Sequence, residues 1–309
     1  MFTVTCETAV DWRETARLAT EAFGGPPFDP ARLRWTYETC FAEGAEVVAL
    51  RVDGAKVGQL VILRHALMID RRRESAGLFV DLFVLPAHRS REALAALFAA
   101  AEDSFRALGI RFAVGMPNHR SLPLNSHLFA MKTVAVLPLH MGLVLRAPDA
   151  DVITRRVDDL EPERLAALCE RYATPVEGTG LPWDGAGLAR RLSGPGHDYA
   201  LHLLPDVMAV SSPRRSRGIP HTLICAFLSR DGASVAQGDL RRLIRAACAV
   251  WRRPVFAYCG FRSDLPNIPG IRLPRVLRPS PLLVQLRDFR ANGDPPDLDR
   301  YQLIDSDFA

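Results

Sequence analysis

Residues 77–123, GLFVDLFVLPAHRSREALAALFAAAEDSFRALGIRFAVGMPNHRSLP, constrain the fold more than any other stretch of the chain. They read as a buried strand, a polar elbow, one long helix and a second buried strand ending in Pro117-Asn118. Strands that are apolar on both faces suit a parallel pair covered by helices, and the helix over residues 93–108 has the length of a crossover between them. After Pro86, the elbow brings His88, Arg89, Ser90 and Arg91 to the start of that helix. Two guanidiniums beside unpaired backbone N–H groups predict an anion site, at the carboxyl ends of the strands where open sheets bind ligands.

The rest of the first half fits around this unit. It reads as a strand at residues 2–7, a helix at 11–23, a Pro/Gly loop, and a helix at 30–42 capped by Asp29 with Pro30 at its first position. Strands at 46–52 and 57–65 flank Asp53-Gly54-Ala55-Lys56, a hairpin turn, and a short helix at 122–131 leads to a strand at 133–145. The second half echoes the first. ERLAALCERYATP followed by WDGAGLARRL matches ARLATEAFGGPP followed by DPARLRWTYE, and DLRRLIRAACAVWRRPVFAYCGF matches ALAALFAAAEDSFRALGIRFAVGM. Two matched units at similar offsets predict duplication of a whole domain, with the boundary where APDAD interrupts two apolar runs near residues 146–151. In the second copy the strand HTLICAFLS runs into RDGASVAQGD without an arginine elbow, so the anion site belongs to the first copy alone. From residue 291 the chain reads as an acidic, turn-rich tail.

Composition excludes several classes of function. With 309 residues, 48% hydrophobic and 24% charged, the chain is long enough for two full cores and too apolar for extended disorder. A formal charge of +4 implies no nucleic-acid partner. The positive charge is nearly all arginine, Lys56 and Lys132 being the lysines, and Arg71-Arg72-Arg73 and Arg214-Arg215-x-Arg217 read as solvated loop runs or as a docking rim for an acidic partner. Six scattered cysteines without a C-x-x-C pair predict buried thiols in a reducing cytoplasm, with neither a zinc site nor a disulfide framework. The first residues carry acids and no long apolar core, which predicts no signal peptide, and no apolar run reaches the roughly 18 residues of a membrane span.

The strand with its terminal V-x-P, the arginine-led loop, the helix and the second strand ending in asparagine resemble the acyl-CoA binding core of the GNAT superfamily of N-acyltransferases. Val84, Pro86 and Arg89, with Pro117, Asn118 and Ser121, are similar to their counterparts in bacterial tandem GNAT proteins of about this length. The resemblance covers most of residues 1–147 and weakens beyond. It implies a mixed α/β architecture of two GNAT-like domains, each a central mixed sheet flanked by helices: residues 1–147 with the acyl-thioester site, residues 151–290 as a degenerate copy shaping the acceptor site, and residues 291–309 as the acidic tail. The family's loop is Arg-x-x-Gly-x-Gly/Ala, whereas here it is Arg89-Ser90-Arg91-Glu92-Ala93-Leu94, with an acid at the mouth of the diphosphate site.

The implied activity is transfer of an acyl group from acyl-CoA or acetyl-CoA, or from phosphopantetheine on an acyl carrier protein, to an amine of a small molecule or peptide. Direct attack is expected, since no cysteine or serine sits with a histidine in a nucleophile motif. Such chemistry needs a polarised thioester carbonyl, a deprotonated amine and a protonated leaving thiolate. The resemblance places the first role on the backbone of Leu82, Phe83 and Val84, and pantetheine contacts on Asn118 and Ser121. Asp81, the one charge inside an apolar strand, is the candidate base or else a structural carboxylate that fixes a neighbouring loop or pairs with an arginine; His88, His119 and His127 are the other titratable groups near the cleft. The family's acid is often a tyrosine on the last helix. SHLFAMKT has none, which leaves Ser126, His127 or water. Trp183 and Tyr199 suit the second core or an acceptor cleft. Two other readings stay open: a long-chain acyltransferase of a biosynthetic pathway, for which the small residues of ALAALFAAA would leave room, and a non-catalytic acyl-CoA-binding or scaffold protein. No metal is expected.

Overall fold

A computed structural model describes residues 2–173, 177–216, 218–230, 233–278, 280–290 and 294–306. The first half contains β1 (Phe2–Cys6), α1 (Trp12–Phe23), α2 (Pro30–Trp35), β2 (Ala45–Val52), β3 (Ala55–Ile69), β4 (Arg72–Val84), α3 (Arg91–Ala107), β5 (Phe112–Gly115), α4 (Ser121–Leu128), β6 (Lys132–Val136) and β7 (Leu139–Leu143). The second contains β8 (Ile153–Arg156), α5 (Pro162–Glu170), α6 (Gly185–Leu192), β9 (Ala200–Leu203), β10 (Val207–Ser216), β11 (Ile219–Ser229), α7 (Gln237–Trp251), β12 (Val255–Arg262), β13 (Ile271–Arg272), β14 (Leu283–Asp288) and β15 (Arg300–Gln302).

Local chemistry sets many of these bounds. Asp11 caps α1 by accepting from the N–H groups of Arg13 and Glu14, both at 3.0 Å, and Gly24 ends it at φ +65°. Asp29 caps α2 in the same way, and the expected helix over residues 30–42 is a short α-helix that widens into a π-turn at Thr36–Cys40. Asp53 and Gly54 both take positive φ, as a two-residue hairpin turn requires. A second such turn at Asp70 and Arg71 joins β3 to β4 and lengthens both beyond the sequence expectation. The arginine run 71–73 is therefore a turn and a strand start.

Two compact units emerge, and neither is a contiguous half of the chain. One comprises Met1–Leu67, Arg73–Val136 and Ser280–Asp297; the other comprises Met68–Arg72, Leu137–Pro279 and Leu298–Ala309. Each has one mixed sheet with flanking helices. The first sheet has strand order β1-β2-β3-β4-β5-β14-β6, and the second β13-β7-β12-β11-β10-β9-β8, with β15 also paired to β12. These units differ from a single division near residues 146–151 in two places. The strand foreseen over residues 133–145 is two strands, broken at Leu137-Pro138 because proline has no N–H for a ladder, and its halves serve different sheets. From the other end of the chain, β14 enters the first sheet between β5 and β6, where Leu286 and Val284 are fully buried. The acidic tail is also no tail over its described part. Tyr301, Leu303 and Ile304 are buried in the second unit, and β15 pairs with β12.

The first core lies under α3, whose Leu97, Ala101 and Phe105 recur at helical spacing and are fully buried. Phe79 of β4 stacks on Phe129 at 4.8 Å and on Phe98 at 5.6 Å, a cluster in which each ring pair contributes about 0.5–1.5 kcal/mol beyond area burial. Leu240, Leu243, Ile244 and Ala247 of α7 build the second core against Phe227 and Tyr258.

Candidate active site

In the first unit, β4 and β5 run parallel from Ala76↔Phe112 to Phe79↔Gly115, where their pairing stops, while β4 continues to Val84. Side-chain alternation shows why. Phe79 faces the α3 core, but Leu82 and Val84 face it too, whereas Phe83 packs on Leu18, Ala19 and Ala22 of α1. One extra residue has been inserted between Phe79 and Leu82, and Asp81 carries it at φ +47°. Left-handed backbone at a non-glycine costs roughly 1 kcal/mol, a strain typical of ligand sites. On the other edge β3 backs β4 closely. Gly58 permits this, since a Cβ there would lie 2.7 Å from the Phe83 carbonyl oxygen. The outcome is a stretch of β4, Leu82, Phe83 and Val84, that extends past its last pair with β5 at the carboxyl ends of two parallel strands.

The bulge also aims Asp81 away from α3. Its Oδ2 accepts from the Tyr37 hydroxyl at 2.6 Å, and Gln59 Nε2 donates to the same hydroxyl oxygen at 3.2 Å. Burial pushes the Asp81 carboxyl above the ordinary carboxylate range, opposed by the Tyr37 hydrogen bond and the nearby charge of Arg32. Tyr37 is itself fixed by an edge contact with Trp12 at 5.6 Å. Asp81 therefore has a tyrosine partner, with the charge of Arg32 nearby. Tyr37 and Gln59 escaped sequence reasoning, although Gln59, the polar residue within VGQLVIL, offered a signal.

The helix start departs from the open anion site expected of it. Arg89 Nε donates to the Val84 carbonyl at 2.8 Å and its Nη2 to the Ala22 carbonyl at 2.9 Å, so this guanidinium ties β4 to the end of α1. Ser90 caps α3, its Oγ accepting from Ala93 N at 3.0 Å. Glu92 is exposed, and hydrogen bonds from its own backbone N–H and from Ser90, with the charge of Arg91 beside it, hold its carboxyl below the usual range. A carboxylate thus stands in the first turn of α3, where the helix end favours negative charge. Arg91 is exposed, Ala93 is buried, and Leu94 packs on the α3 core.

After β5, Asn118 and Ser121 are bound to each other. Asn118 Oδ1 accepts from the N–H groups of Arg120 at 2.8 Å and Ser121 at 3.0 Å, while Ser121 Oγ accepts from Asn118 N at 3.0 Å. They form the turn into α4. Ser126 and His127 are exposed on that helix, and Ser126 Oγ accepts from Gln285 Nε2 at 2.9 Å, a residue 159 positions away on β14 that no local pattern could flag. His119 is exposed and His88 half-buried in a turn at Pro86–His88. In the second unit, Trp183 is buried and donates to Asp305 Oδ1 at 2.7 Å, Tyr199 is buried, Arg214 meets His197 Nδ1 at 2.9 Å, and Arg217 lies outside the described residues. Cys169, Cys225 and Cys259 are buried thiols that burial raises to about 12. Among the described residues no group of His, Cys, Asp and Glu could hold a metal, and no helix is long and apolar enough to cross a membrane.

No protein-family model and no curated protein sequence matches the chain. Its fold, however, is similar to solved structures. A conserved protein of unknown function from Enterococcus faecalis V583, a probable N-acyltransferase, superposes with a TM-score of 0.63 at 11% identity, over 93% of this chain and 73% of that one. GCN5-related N-acetyltransferases from Kribbella flavida and Anabaena variabilis superpose with TM-scores of 0.60 and 0.58 at 15% and 13% identity, each over 93% of this chain and over 71% and 73% of theirs. The chain thus has the architecture of GCN5-related N-acetyltransferases, two mixed sheets flanked by helices.

Proposed function

We propose that this protein is an N-acyltransferase that moves an acyl group from a pantetheine thioester to an acceptor amine by direct attack, and that the thioester lies in the cleft of the first unit. The observation that carries this reading is the parting of β4 from β5 after Phe79↔Gly115, with a bulge that sets the Asp81 carboxyl at the parting. An extended amide-bearing arm seats against the main chain of Leu82–Val84, and a strand N–H there polarises the thioester carbonyl. The amine nitrogen attacks the carbonyl carbon while Asp81 accepts its proton. A carboxyl raised above its ordinary range is the stronger base, which suits this role. Collapse breaks the C–S bond, and the thiolate takes a proton from Ser126, His127 or water. A small-molecule or peptide amine is the acceptor, and the buried thiols suit the cytoplasm.

The donor's carrier follows from the start of α3. With Arg89 committed to two carbonyls, Ser90 capping the helix and the Glu92 carboxylate in its first turn, that end is poorly suited to the diphosphate of acyl-CoA. Phosphopantetheine on an acyl carrier protein, with no second phosphate to place there, fits better. Comparing turnover with an acyl-CoA and with the same acyl group on a carrier protein, using a panel of primary amines, tests both parts. Product from the carrier-bound donor supports the reading, whereas binding of either donor without product with any amine would turn it to the non-catalytic acyl-thioester binder.

A further inference from the structure

The second unit repeats the parting of strands seen in the first. β11 and β12 run parallel from Thr222↔Phe256 to Ile224↔Tyr258 and then separate, β11 reaching Ser229 and β12 reaching Arg262. An irregularity falls within one residue of the place it takes in β4: across to β10, Val210 faces Ala226 but Ser211 faces Ile224, so Cys225 is an extra residue in β11. Three residues beyond the last parallel pair, Phe227 stands where Leu82 stands in β4.

Here the gap is filled by the chain itself. β15 pairs antiparallel with β12 from Gly260↔Gln302 to Arg262↔Arg300. Gln302, which is 3% exposed, turns its carboxamide onto the Phe227 main chain. The Phe227 N–H donates to Gln302 Oε1 at 2.8 Å, Gln302 Nε2 donates to the Phe227 carbonyl at 3.1 Å, and the Tyr258 hydroxyl donates to Oε1 at 3.1 Å. A planar amide that both gives and takes a hydrogen bond at one residue is how an extended ligand binds a strand edge. The segment is held in place from several sides. Gly260 has φ +141°, and a Cβ there would lie 2.7 Å from the Tyr301 carbonyl oxygen; Arg191 Nη2 donates to the Ser306 carbonyl at 2.6 Å, and Gln302 N donates to Asp305 Oδ2 at 2.7 Å.

We propose that the second unit retains a binding slot for a carboxamide between β11 and β12, and that Gln302 fills it in cis, closing this cleft to any other amide-bearing arm. The slot suits an amide because Phe227 presents a donor and an acceptor together. An apolar side chain would strand the buried Phe227 N–H, while the Phe227 carbonyl would keep one of its two donors, Arg262 Nη1 at 3.0 Å. This inference does not depend on the activity of the first unit.

Gln302→Ala removes a group that acetamide reproduces. We expect the variant's Tm to fall by roughly 5 °C, about 100 mM acetamide to restore at least half of that loss, and the wild type to shift by less than about 1 °C. Acetate and N,N-dimethylacetamide, which lack the N–H donors, should restore nothing. Equal responses of variant and wild type to acetamide, or recovery with acetate as well, would overturn the proposal. Should Gln302→Ala fail to fold, Gln302→Met fills the space without polar atoms. It should lower Tm without responding to acetamide and should speed hydrogen exchange at the Phe227 amide, whereas wild-type stability and exchange in Gln302→Met would refute the slot.

Discussion

Replacing Asp81 with asparagine separates a base from a structural carboxylate. Asparagine tolerates the left-handed backbone at φ +47° as aspartate does, and its side-chain oxygen can still accept from the Tyr37 hydroxyl at the observed 2.6 Å. Shape and hydrogen bond are thus preserved, and only the capacity to take a proton is lost. Positioned general bases contribute about 10²–10⁴-fold, so kcat should fall at least about a hundredfold with little change in donor Kd. Stability should move the other way. Burial raises the Asp81 pKa in the folded state, so its contribution to stability is present below the unfolded value and is lost as pH rises through the folded one. At neutral pH the uncharged asparagine should therefore match or exceed the wild-type Tm. For the wild type, kcat should climb with pH as the carboxyl ionises, at a pH above the ordinary carboxylate range, and this limb should vanish in the variant. Steady-state rates across pH, donor titration calorimetry and thermal melts provide the three readouts. A variant that keeps its rate but melts several degrees lower would refute the reasoning and move the base to His119, His127 or water.

Arg89→Ala should cost about 1–3 kcal/mol in chemical denaturation, because two carbonyls lose a charged donor, and Arg89→Lys, with no planar fork, should not restore it. Glu92→Gly removes the carboxylate from the first turn of α3 and should tighten CoA binding in a calorimetric titration while leaving a carrier-borne donor unchanged; equal weakening of both would show that Glu92 serves only to support the helix start. Burial raises Asp305 to about 6, above its unfolded value near 4, so the unfolded chain binds fewer protons between these values and stability should fall with rising pH by up to about 1.4 kcal/mol per unit. Asp305→Asn should flatten that part of a Tm-versus-pH curve, and an unchanged slope would assign it elsewhere.

Much of the fold was legible because local chemistry decides it. Asp11, Asp29 and Asp53-Gly54 fix their caps and turn, and the apolar strand, crossover helix and second strand of residues 77–116 leave few alternatives. What remained hidden was non-local. Pattern alone does not reveal that Pro138 parts two strands destined for different sheets, or that β14 completes the first sheet. Over residues 294–306 the aspartates obscured the buried Tyr301, Leu303 and Ile304. At the candidate site, Asp81 stood out as a charge within an apolar strand, but its partner Tyr37 lies 44 positions away. Arg89 and Glu92 were visible as residues and opaque as roles. Whether a guanidinium meets a ligand or two backbone carbonyls depends on where the end of α1 falls, which no spacing encodes.

The central claim is that an acyl-thioester arm lies along β4 in the first unit. Hydrogen exchange of the full chain with and without a non-hydrolysable thioether analogue of S-acyl-pantetheine tests it most directly. Ligand should slow exchange at the amides of Leu82, Phe83 or Val84, which lie beyond the last pair with β5, and should leave the Phe227 amide, already bonded to Gln302, unchanged. Saturating analogue that leaves residues 82–84 unprotected, or that protects Phe227 instead, would contradict the account.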